Sequence, residues 1–152
     1  MRKQIFKATL WAGSLDILAA FLNSYLRNKT SPGIVLQYIA SGVLGEEAFS
    51  GGYATMAIGL FFHFMIAFSC TALFFVLFPR LKFLHHSILV NAVLIALVAW
   101  VVTNLAVMPL SRVEQGAFIF SRVLIAIGIL IICIGLPIAV SAKRYFLKAQ
   151  SG

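Results

Sequence analysis

Apolar positions along the chain gather into four long runs, separated by short breaks where charges, prolines and glycines collect. The first run covers about Ile5–Leu26 and closes at Arg27, Asn28 and Lys29. The second covers about Tyr53–Phe78 and stops at Pro79-Arg80, and the third covers about Ser87–Met108 and stops at Pro109. The fourth covers about Ser121–Ser141 and is followed by Lys143-Arg144. At a rise of about 1.5 Å per residue, each run is long enough to cross a hydrocarbon core of about 30 Å as a helix. The pattern predicts an all-α fold: a polytopic membrane four-helix bundle forming a single transmembrane domain over residues 1–152. The short connections make sequence neighbours antiparallel.

A shorter element is predicted between the first two runs. Ser31 can cap a helix, Pro32 suits its first position and Gly45 can end it. Ile34, Val35, Tyr38 and Ile39 then share one face. Such a helix, about 32–44, is roughly 20 Å long, too short to span. It is either re-entrant, where irregular backbone must be shielded by protein or water, or it lies flat in the interface, the reading preferred here. Gly51-Gly52 form a flexible joint before the second span.

Composition agrees with the pattern. The chain of 152 residues is 62% hydrophobic and 11% charged, with a mean hydropathy of +1.03. A soluble domain needs more polar surface than that. The four runs leave no room for a separate soluble domain. The net charge of +8 would suggest nucleic acid in a soluble protein; here Lys and Arg sit at span ends, where they set topology and meet anionic lipid. The expected partner is therefore the lipid bilayer, not nucleic acid. With a cytoplasmic N-terminus, the inside segments hold Arg2, Lys3, Lys7, Arg80, Lys82, Lys143, Arg144 and Lys148, and the outside segments hold only Arg27, Lys29, Arg112 and Arg122. Both termini are accordingly predicted to be cytoplasmic. The N-terminal segment has the charged start of a signal peptide, but Asp16 interrupts its apolar stretch, so a retained anchor helix is expected.

Few residues carry chemistry. Asp16 falls near the middle of the first span, where a carboxylate is costly and must face protein or water. Thr9, Gly13, Asp16, Ala20, Asn23 and Arg27 make one small-and-polar face of that helix. His63 falls near the middle of the second span, at matching depth, on a face with Thr55, Gly59, Ala67 and Thr71. Asp16, His63 and Asn23 are therefore the candidate intramembrane polar or proton site, in which imidazole and carboxylate could form a proton-responsive couple. The bland alternatives are an Asp that bonds neighbouring helices to fix their register, and a neutral His bonded to a carbonyl or hydroxyl. Asn91 and Asn104 of the third span are rotated by roughly 140° from one another, so a straight helix cannot turn both into one narrow pore. Gln37, Glu46 and Glu47 are a candidate polar cluster at the outer surface. In the fourth span Gly128 and Gly135 allow close packing and Pro137 invites a kink. Cys70 and Cys133 lie in apolar runs and read as packing residues. No phosphate loop, hydrolase elbow or paired-ligand motif is present, so no catalytic residue, cofactor or metal is expected.

Leu15-Asp16-Ile17-Leu18-Ala19-Ala20, Val35-Leu36-Gln37-Tyr38-Ile39-Ala40-Ser41-Gly42, Gly51-Gly52 and Gly59-Leu60-Phe61-Phe62-His63-Phe64 together resemble a group of small bacterial integral membrane proteins, distantly of the YagU type. The resemblance reaches to about Met108-Pro109-Leu110. It implies a four-helix protein of the bacterial inner (cytoplasmic) membrane and carries over no activity. The leading functional expectation is a small proton-linked or ion-permeation protein centred on Asp16 and His63. Because four helices enclose little space, a permeation path suggests a homo-oligomer. The alternatives are a non-catalytic accessory subunit or scaffold with a membrane-protein partner and, third, a lipid-modifying enzyme built around Glu46 and Glu47.

Overall fold

The computed structural model describes residues 1–107 and 120–150. Its helices are α1 (Arg2–Asn28), α2 (Pro32–Leu44), α3 (Gly52–Leu77), α4 (Ile88–Val101), α5 (Phe120–Leu130) and α6 (Leu136–Gln150). Short 3₁₀ turns, Gly45–Phe49 and Lys82–His85, lie before and after α3. Two π-helical turns extend the regular helices: Val102–Val107 continues α4, and Ile131–Gly135 joins α5 to α6. Among the described residues the fold is all-helical. Arg2–Asn28, Gly52–Leu77 and the continuous rod Phe120–Lys148 are long and apolar enough to cross a membrane; Ile88–Asn104 is a shorter apolar helix. The far end of the third expected span, Met108, and the connection expected after Pro109 lie outside the described residues up to Phe120.

The helix ends follow from local chemistry. At the end of α1, Lys29 adopts the left-handed conformation with φ 54°. Its N–H donates to the Tyr25 carbonyl at 2.9 Å and that of Thr30 to Ser24 at 3.4 Å, closing the last turn. Ser31 stands extended before α2, Pro32 occupies its first turn, and Gly45 ends it at φ 66°. The boundaries anticipated from Ser31, Pro32 and Gly45 are thus those of α2. The Ser87 hydroxyl caps α4 by accepting from Val90 N–H at 3.4 Å.

The helix of the fourth run extends beyond its apolar stretch. Lys143-Arg144 do not stop it, and α6 continues to Gln150. Lys and Arg are good helix formers, and no Gly or Pro lies between Arg144 and Gln150. Pro137 does not break the rod either. It lacks the N–H that would bond the carbonyl four residues back, and the turn before it, Ile131–Gly135, is widened to π geometry.

Packing is tightest at the end carrying both described termini. Ile5, Ala8 and Ala12 of α1 meet Phe74, Phe75 and Phe78, together with Leu84, Ile138, Ala139 and Ala142, in one buried cluster. Phe78 stacks on Phe146 with ring centres 5.2 Å apart. Glycines permit two close approaches. Gly59 of α3 lies directly on the Leu36 carbonyl of α2, and Gly135 on that of Ala92 in α4; a Cβ at either would collide with backbone. The α3–α4 seam is looser. Two apolar clefts of about 200 and 220 Å³ run along it, both lined by Cys70, Leu73 and Val98.

Candidate functional site: a polar cavity between the helices

The polar face of α1 divides into two parts. Thr9 and Gly13 are buried, while Asp16, Ala20 and Asn23 are half-buried. Gly13 packs beneath the Phe64 ring, 2.8 Å from where its Cβ would sit, so α1 and α3 approach closely at this level. One helical turn further on, the helices part around a cavity of about 590 Å³ lined by Asp16, Ala20 and Asn23. The same cavity is lined by His63 from α3, Tyr38 from α2, Trp100 from α4, Asn104 from the following π turn and Ile129 from α5. Along α1 it reaches from Asp16 to the exposed Asn28, about 18 Å at helical rise.

His63 is held by backbone. Its Nε2 lies 2.8 Å from the Gly13 carbonyl. A carbonyl only accepts, so Nε2 carries the proton and donates, and Nδ1 remains for a second partner. This bond ties α3 to α1 one turn from Asp16. Asp16 and His63 thus line one cavity from two helices, with no hydrogen bond or ion pair between them. Among the described residues Asp16 has no hydrogen bond and no ion pair, although it lies within electrostatic reach of His63 and Cys133. The buried face on α3 is the one read from the i, i+4 spacing, with Thr55, Gly59, Ala67 and Thr71 all buried.

The two asparagines of the third run part company as their rotation required. Asn104 lines the cavity and donates to the Trp100 carbonyl at 2.9 Å. Asn91 is fully buried and donates to the Leu84 carbonyl at 2.6 Å, leaving its Oδ1 unpartnered.

The three residues expected to cluster at the outer surface are not brought together. Gln37 is buried in the α2–α3 seam, where its amide donates to the Phe49 carbonyl at 3.4 Å and to Thr55 Oγ1 at 3.5 Å. Glu46 and Glu47 are exposed on the 3₁₀ turn and do not line the cavity. Gln37 is therefore a clamp that fastens α2 to the start of α3. Against protein-family models, curated proteins and solved structures, the chain matches none.

Three lining groups escaped the sequence reading. Tyr38 was read only for its apolar face; burial pushes its phenol up, so it presents a neutral hydroxyl. Trp100 and Asn104 share a face near the end of α4, but nothing in their spacing aims that face at α1. The two π turns both border the cavity, through Asn104 and Ile134. Of these, only the turn before Pro137 had a sequence signal. Both cysteines are free, Cys70 buried beside the cavity and Cys133 half-buried.

Proposed function

We propose that the chain is a small proton-linked transport or ion-permeation protein whose working centre is this cavity. One observation carries the reading: Asp16 lines the cavity with no bonded partner among the described residues, facing an imidazole that is fixed through one nitrogen only. A carboxylate kept for helix register would be spending its oxygens on neighbouring helices. This one is left facing a space that water or a ligand can fill. Carboxylate and imidazole together can take up and release protons near neutral pH.

In this reading the third apolar run, about Ser87–Met108, is also a span, making a four-helix multi-pass protein with α2 as a non-spanning fifth helix flat in the interface. The Lys and Arg distribution supports cytoplasmic termini, and the resemblance to small bacterial membrane proteins supports the bacterial inner membrane as its home. The described part of the cavity is bounded by helices of one chain.

The test is proton flux in proteoliposomes, followed with an internal pH-sensitive dye under an imposed gradient. Wild type should dissipate the gradient, and Asp16→Asn should abolish that while keeping the helical content and elution volume of wild type. Flux that survives Asp16→Asn, or absence of flux from wild type, would overturn the proposal. The second outcome would favour an accessory or scaffold role.

A further inference from the structure

We infer that the cavity binds a small organic monocation with an apolar body, admitted from the Asn28 side and held with Asp16 as its counter-ion. This rests on the cavity being the working centre, and it names what that centre takes.

Size is the first argument. A volume of about 590 Å³ lies within the range of roughly 300–1,000 Å³ typical of small-molecule sites. A bare proton or metal cation needs a file of waters at about 30 Å³ each, not a chamber.

Charge is the second. Among the described residues, the titratable groups around Asp16 are His63 and Cys70 from α3, Tyr38 from α2 and Cys133 from the π turn. Neither α4 nor α5 adds a titratable lining side chain, and α6 lines none of the cavity. No Lys or Arg is among the described lining residues, so no described lining group fits an anion. Arg27 and Lys29 stand at the same end of α1, but neither lines the cavity, and the Lys29 ammonium sits 4.9 Å from the Tyr25 ring centre. With the imidazole neutral, an ionised Asp16 makes the chamber a cation site.

Lining chemistry is the third. Trp100 and Tyr38 contribute aromatic groups that can meet a cation or an apolar ring. Ile17, Ile34, Ile66 and Ile129 supply apolar parts of the remaining wall, with small and polar residues such as Asn23 and Thr103 between them. An inorganic cation gains nothing from the apolar part of this wall, whereas an alkyl or aryl ammonium gains contact there. Protonating Asp16 removes the counter-ion, so proton and organic cation compete for one carboxylate. That competition is the coupling an exchanger needs.

The experiment uses the full chain in mild detergent, with Trp11→Phe as background so that emission comes from Trp100. The probe is benzyltrimethylammonium, whose charge does not vary with pH; its neutral isostere neopentylbenzene and the anion benzenesulfonate are the controls. Saturable quenching by the cation is expected, tightening as pH rises because Asp16 ionises. Asp16→Asn should weaken binding about 30-fold or more, the loss of one buried charge partner. Asp16→Glu, which keeps the charge, should restore much of it. Binding that is independent of pH in wild type, or equal for the neutral isostere, would overturn the inference without recourse to any variant. So would binding of benzenesulfonate with comparable affinity. Absence of probe binding alongside intact Asp16-dependent proton flux would refute the ligand class and leave the transport reading standing. Probe binding in a protein that moves no protons would do the reverse.

Discussion

The two ends of this helical bundle solve opposite problems with the same helices. Where the described termini meet, α1 offers Ile5, Ala8 and Ala12, and the space is filled by Phe74, Phe75, Phe78 and Phe146. Three turns along the same face of α1, Asp16, Ala20 and Asn23 border an unfilled chamber. Small residues occur at both levels, so small residues alone do not make a cavity. What differs is the partner. At the first level an aromatic cluster reaches across to α1, and at the second α2 and the π turns hold the backbones apart. One end is filled by a buried cluster and the other encloses a cavity.

The contrast can be broken at its firm end first. Phe75 is fully buried and its ring lies 6.2 Å from those of Tyr145 and Phe146. In lipid the transfer term largely drops out of a truncation, because tails are as apolar as the core, and the cost of the void remains. Phe75→Ala should therefore cost about 2 kcal/mol, visible as a lower midpoint in thermal or denaturant unfolding in mixed micelles. Ile129→Ala, on the cavity wall, should cost well under half as much, since the side chain it removes already faces a void. Equal costs would erase the distinction between the two ends.

The boundary between the two regions is His63. Its bond to the Gly13 carbonyl is the polar link where tight packing gives way to the chamber. His63→Phe should cost about 0.5–1 kcal/mol in the same unfolding measurement, the usual worth of such a bond between membrane helices.

The smallest effect sharpens the comparison from the other direction. The Thr9 hydroxyl is buried in the firm end without a partner. Thr9→Val keeps the shape and removes the unsatisfied group, so a gain of up to about 1 kcal/mol is expected. A loss on unfolding would mean that the hydroxyl is bonded in the membrane and that the firm end is wetter than it looks.

Much of this arrangement was legible before any coordinates. The run lengths located the long helices, and Ser31, Pro32 and Gly45 bounded α2 because caps and breakers act locally. Asp16 and His63 could be placed at one depth because rise per residue is constant. Partnership was less legible. His63 bonds a backbone carbonyl, which every residue carries and no sequence pattern marks. Gln37 looked like a surface polar group near two glutamates, but its target is a carbonyl and a hydroxyl reached only once Gly59 lets α2 settle onto α3. The chamber itself is walled by the short α2 and two widened turns, and only Pro137 announced one of these.

The way α2 is joined to the rest carries one more consequence. It is a single uninterrupted stretch of 13 residues, with backbone reversals at Lys29 and Gly45 on either side and its seat on α3 provided by a bare glycine. A wall encoded so compactly can be exchanged as a cassette. Replacing the residues between those two reversals would re-tailor one side of the chamber while leaving Asp16, His63 and the aromatic foundation in place. Selectivity and stability are thereby written in different stretches of the chain, and each can drift without dragging the other along.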